Sequence, residues 1–187
     1  MVTPQLGIRI AVLAVVATIV EIAAVSQVSI FGVSADLSPL VVMSVGLLCG
    51  SLTGAVVGFG VGLLLDLTLV QTLGVSSLIY LGVGYWAGRV RELRDPQAAL
   101  TPLVLGAAAT AGATCGYAVI QFLLGVDAPV SLLLVRQIVT TIVVNTLIAL
   151  PVFALVRRWL EPSLPDDPRR RRRRAYTTGG LSPLSRA

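Results

Sequence analysis

Five glycines, Gly46, Gly50, Gly54, Gly58 and Gly62, recur at four-residue spacing, and the next step of the same ladder is Asp66. The surrounding stretch LVVMSVGLLCGSLTGAVVGFGVGLLLDL holds no other charge, so the ladder lies in sequence long and apolar enough to enter a bilayer. Small residues four apart share one helix face and let helix backbones approach closely, where lipid gives little reward for burying one apolar side chain against another. The ladder therefore predicts a helix-packing seam. An acid at its end is costly in hydrocarbon unless it faces protein, water or a partner. Asp66 is for that reason the sharpest candidate functional residue.

Charge and composition narrow the class. Of 187 residues 56% are hydrophobic and 12% charged, with a mean hydropathy of +0.91, against about 25% charged in soluble domains. This is the composition of an integral membrane protein with little soluble mass. All 14 basic residues are arginine, and Arg169, Arg170, Arg171, Arg172, Arg173 and Arg174 form one run. The net charge of +5 thus describes mainly the tail, which suits anionic lipid headgroups, at about 1 kcal/mol per cation near such a surface, and is no argument for nucleic acid. The chain lacks histidine, the commonest general base and metal ligand. No nucleophile with a base in reach, no Gly-x-Ser-x-Gly and no nucleotide-cradling loop is present, so neither an enzyme nor a metal or cofactor site is predicted. Cys49 and Cys115 have no CxxC spacing and read as buried, apolar thiols.

Apolar segments run over Ile8–Val25, Leu37–Val70, Val75–Gly88, Leu100–Leu124 and Leu132–Val156. The first reads as an uncleaved helix rather than a secretory signal. The second, 34 residues, would be about 51 Å as one helix, against a hydrocarbon core of about 30 Å. A turn near Gly50–Gly54 is predicted, giving six helices; an unbroken block would give five and place the amino terminus outside. Tyr85 and Trp86 beside Arg89, Arg91 and Arg94 mark a membrane–water boundary. By the preference of arginine for cytoplasmic loops, the Arg89–Arg94 loop, both termini and the tail are expected in the cytoplasm, with Asp66 towards the outer face. A transmembrane domain of residues 1–160 and a disordered Arg-rich tail of residues 161–187 follow.

Glu21, Asp66 and Arg136 would then share the outer half of the bundle. Asp66 and Arg136 form one expected polar pair, each charge lowering the desolvation cost of the other; in the alternative, Arg136 snorkels to the interface and leaves the acids solvated. Asn145, in the middle of the last helix, is expected to bond to a neighbouring helix.

The stretch from Pro39 to Gly82 resembles a known family, the rod shape-determining protein MreD. The resemblance rests on Pro39, Gly50 and Gly54, the string Gly58-Phe59-x-x-Gly62-Leu63-Leu64-x-Asp66, and Leu73-Gly74 seven residues further on. It implies a non-enzymatic bacterial inner-membrane scaffold of the cell-wall elongation complex. Such a scaffold binds an MreC-like protein and links MreB to RodA and a class B penicillin-binding protein. The partner's helix would lie on a face built by Gly46, Gly50, Gly54, Gly58, Phe59 and Gly62, with Asp66 as its polar fixed point. The family also looks like the six-helix S-components of energy-coupling-factor transporters, which supplies the alternative of a vitamin-binding subunit. With 5% aromatic residues and short loops, the chain offers little for such a site.

Overall fold

The computed structural model describes residues 4–27, 36–70, 72–93, 100–125 and 132–163. These form six α-helices: α1 (Pro4–Gln27), α2 (Leu37–Cys49), α3 (Ser51–Thr68), α4 (Val75–Leu93), α5 (Leu100–Leu123) and α6 (Leu132–Leu160), closed by a short 3₁₀ turn, Glu161–Ser163. No strand occurs among the described residues. Helices α1, α3, α5 and α6 are each long and apolar enough to cross a membrane. The chain is a multi-pass helical membrane protein.

The 34-residue apolar block is broken by one residue. Gly50, with φ +98° and ψ 174°, occupies a backbone region that is essentially open to glycine alone. Its amide still donates to Gly46 O and its carbonyl accepts from Gly54 N, so the chain reverses between α2 and α3 with both backbone groups of Gly50 paired.

Helix α2 is the centre of the bundle. It packs against all five other helices, and every residue from Ser38 to Leu47 is buried. A helix apolar on all sides belongs in such a position. Leu40, Met43 and Leu47 meet Ala87, Ala109, Ala149 and Phe153, while Val41 and Val45 meet Leu6, Ile10, Val156 and Leu160. The outer helices turn apolar side chains outward instead, among them Ile8, Leu52, Val56, Trp86, Phe122 and Leu147, as lipid contact requires. Both cysteines are free; Cys49 is half-buried and Cys115 lies exposed on α5, so the expectation that both thiols are buried is not met.

Polar groups segregate to opposite ends. At one end Arg9 donates to Trp159 O, Arg91 donates to Leu48 O, and Ser51 Oγ donates to Glu92 at 2.8 Å. Arg89 and Glu92 form an exposed ion pair at 2.7 Å. Hydrogen bonds from Ser51 and Arg89 hold the Glu92 carboxyl below the usual carboxylate range. Glu21, Asp36 and Asp66 gather towards the other end. The run Arg169–Arg174, expected to touch the membrane surface, lies outside the described residues.

Candidate functional site

The glycine ladder is filled from within the molecule, and α4 fills it. A Cβ placed on Gly46 would lie 2.6 Å from Gly84 O, and one on Gly54 would lie 2.7 Å from Gly46 Cα. On Gly58 it would meet Tyr80 O, with Tyr80 C at 2.5 Å, and on Gly62 it would meet Ser77, with Ser76 C at 2.5 Å. These are backbone atoms, which cannot swing aside. Gly84 and Gly88 reciprocate from α4, the first against Gly54 and the second against Gly50 and Ser51. The ladder thus joins α2 and α3 to a third helix that carries small residues of its own. Phe59 projects from the other side of α3 and is exposed.

Asp66 is 1% exposed and closes the α3–α4 hairpin. Oδ2 accepts from Gly74 N at 2.8 Å and Oδ1 from Ser76 N at 3.3 Å, with Ser77 Oγ at 3.5 Å from Oδ2. The first amides of a helix have no partner within it, and a carboxylate there also meets the positive end of the helix dipole. Asp66 supplies both from the last turn of the preceding helix. Arg136 is exposed on α6. Among the described residues the structure shows no Asp66–Arg136 ion pair, because the carboxylate is occupied at the start of α4.

Glu21 repeats the device for the central helix. It is buried, and its Oε2 accepts from Ser38 N at 2.6 Å and from Ser38 Oγ. A carboxylate on α1 thus caps the first turn of α2. Asp36, which immediately precedes that helix, makes no side-chain cap. Asn145 donates from Nδ2 to Asp36 O at 2.9 Å and to Thr110 Oγ1 at 3.2 Å, bonding across to a neighbouring helix as its position suggests.

Two cavities flank these groups. An apolar groove of about 460 Å³ runs between α4 and α5, lined by Gly82, Trp86, Ala108, Ala109, Gly112 and Gly116 among others. A Cβ on Gly82 or Gly112 would meet nothing within 4 Å. A second cavity, about 520 Å³, lies at the end where the acids gather and is lined by Glu21, Asp36, Tyr80, Gln121, Gln137 and Thr141 with neighbouring apolar groups. The sequence marked Glu21 and Asp66 but not Asp36, Ser38 or the cavity. The available signal was the distance in chain: Asp66 stands eight residues before Gly74, the span of a tight helical hairpin. Among the described residues no group of three or more His, Cys, Asp or Glu side chains could hold a metal ion.

Fold and site together define a polytopic helical membrane protein whose buried carboxylates hold helix ends. The chain belongs to the family of the rod shape-determining protein MreD, whose model matches residues 5–159. The match extends the resemblance from Pro39–Gly82 to all six helices. No curated protein matches the chain and no solved structure does, so the expected likeness to the S-components of energy-coupling-factor transporters finds no support.

Proposed function

We propose that this chain is a non-enzymatic inner-membrane scaffold of the cell-wall elongation complex that binds an MreC-like protein and, through it, reaches RodA, a class B penicillin-binding protein and MreB. The observation that carries this reading is the family match across residues 5–159. Both termini lie in the cytoplasm under it. The end bearing Arg9, Arg89, Arg91, Arg157 and Arg158 is then the cytoplasmic one, in keeping with the preference of arginine for that side, and anionic lipid meets the Arg169–Arg174 run there.

The geometry separates two roles for small residues. Gly46, Gly54, Gly58 and Gly62 lie against α4 and serve the internal fold. The α4–α5 groove remains open, and its Gly82, Ala108 and Gly112 allow the close backbone approach that drives helix association in lipid. The partner's transmembrane helix seats in that groove. Gly82→Leu and Gly112→Leu are expected to leave the melting temperature of the purified protein unchanged while reducing recovery of the MreC-like protein in affinity purification from cells. Unchanged recovery with both variants would exclude the groove. Failure of the affinity-tagged parent protein to recover any elongation-complex member would count against the scaffold itself.

A further inference from the structure

The second cavity exists because the central helix is short. Thirteen residues give α2 a length of about 20 Å, roughly two-thirds of the hydrocarbon thickness. The Asn145–Asp36 hydrogen bond, 2.9 Å, fixes how deep α2 begins, since Asn145 stands near the middle of the 29-residue α6. Beyond that level α1, α3, α4, α5 and α6 continue around a space that α2 does not fill, and this is the cavity of about 520 Å³. Its size falls in the range of small-molecule sites.

Its chemistry is one-sided. Two carboxylates, Glu21 and Asp36, line it together with the amides of Gln121 and Gln137, and no basic side chain is among the lining residues. The Asp36 carboxylate does not cap the helix it precedes. Gln121 Nε2 donates to Tyr117 Oη at 2.7 Å, while its Oε1 is buried with no hydrogen-bond partner. Acids at membrane depth are costly without a compensating charge, and a buried acceptor left without a donor is costly too. A cation carrying several N–H donors would answer both. Leu65, Leu69, Ile79 and Ile138 on the same walls would receive an apolar body attached to it.

We infer that this cavity is a binding site for an organic ammonium, held by Asp36 and Gln121 with its apolar portion against α3, α4 and α6. The ammonium has two sources, an aminophospholipid headgroup or a free amine. Occupancy would tie α2 to α5 across the gap that the short helix leaves. The inference is independent of which partner the scaffold binds.

The test uses the full-length purified protein and two matched probe pairs: phosphatidylethanolamine against phosphatidylcholine of the same chains in nanodiscs, equal in net charge but the second without N–H donors, and 2-phenylethylamine against 2-phenylethanol in detergent. The amine-bearing member of at least one pair is expected to raise the melting temperature saturably, and its partner is not. Response to the lipid alone assigns the headgroup as the source, and response to the free amine alone assigns a soluble ligand. Asp36→Asn, and separately Gln121→Leu, should weaken the apparent affinity at least fivefold. Glu21 is left intact because it caps α2. If Asp36→Asn fails to fold, as judged by elution and melting without probe, Gln121→Leu decides. The inference is overturned if neither amine gives a saturable shift, or if a folded variant responds within fivefold of the parent.

Discussion

Replacing Asp66 separates a fold role from a partner role, and the structure fixes the size of the first. Asp66→Ala removes the acceptor for two amides at the start of α4, those of Gly74 and Ser76. The site is 1% exposed, so water is a poor substitute. Each orphaned donor costs about 1–3 kcal/mol, and the lost interaction with the helix dipole adds about 1 kcal/mol in a buried setting. The sum is about 3–7 kcal/mol, a large share of the roughly 5–15 kcal/mol that holds a folded domain together. At about 2–4 °C per kcal/mol for a chain of this size, the melting temperature should fall by at least about 6 °C. Asp66→Asn keeps one oxygen for Gly74 but turns its NH₂ towards the other donor, so it should lose about half as much. The assay is thermal unfolding of the detergent-purified protein followed by size-exclusion chromatography, with recovery of the MreC-like partner measured in parallel. An Asp66→Ala protein that melts within about 2 °C of the parent, where the caps alone predict a far larger shift, yet no longer recovers the partner would refute the capping argument. Asp66 would then act at an interface.

Other consequences follow from the same contacts. Gly58→Ala should separate α3 from α4 and lower stability by about 2 kcal/mol or more, as overpacking does, whereas Gly60→Ala, where a Cβ meets nothing within 4 Å, should raise it slightly, by about 0.5–1 kcal/mol, in the same melting assay. Val70 is 91% exposed and holds φ +51°, a strained conformation for a β-branched residue; Val70→Asn should raise stability by about 1 kcal/mol, measured by the same unfolding. Because the Glu92 carboxyl is held below its ordinary range by Ser51 and Arg89, its contribution is present above the ordinary carboxylate range and is lost as pH falls through its lowered folded value. A shallow acid-side loss of melting temperature should therefore disappear in Glu92→Gln.

Much of the bundle was legible in the sequence because membrane spans are written in apolar length and small-residue spacing. The break at Gly50 followed from a block too long for one crossing. Which helix lined the glycine seam did not follow: Gly84 and Gly88 of α4 are themselves four apart, but the two halves of the long apolar block offered each other as the nearer facing surfaces. The role of Asp66 was legible only as a cost. An acid in apolar sequence needs a partner, and the charge of Arg136 made it the visible one. The actual partners are backbone amides of Gly74 and Ser76, which every residue except proline carries and no sequence pattern advertises. The cavity was hidden for a similar reason. It arises where α2 stops, and the depth of that stop is set by Asn145 reaching a carbonyl, not by any side chain of residue 36.

The shortness of α2 also bears on how the chain enters the bilayer during synthesis. At about 20 Å a 13-residue segment has too little length to be retained across a bilayer on its own, and the single-residue reversal at Gly50 leaves no room for α2 to be released before α3 emerges. The two must partition as one hairpin. Reporter proteins fused after truncation near residue 50 would therefore misstate which side that point occupies, whereas insertions of a reporter into the intact chain would read it correctly.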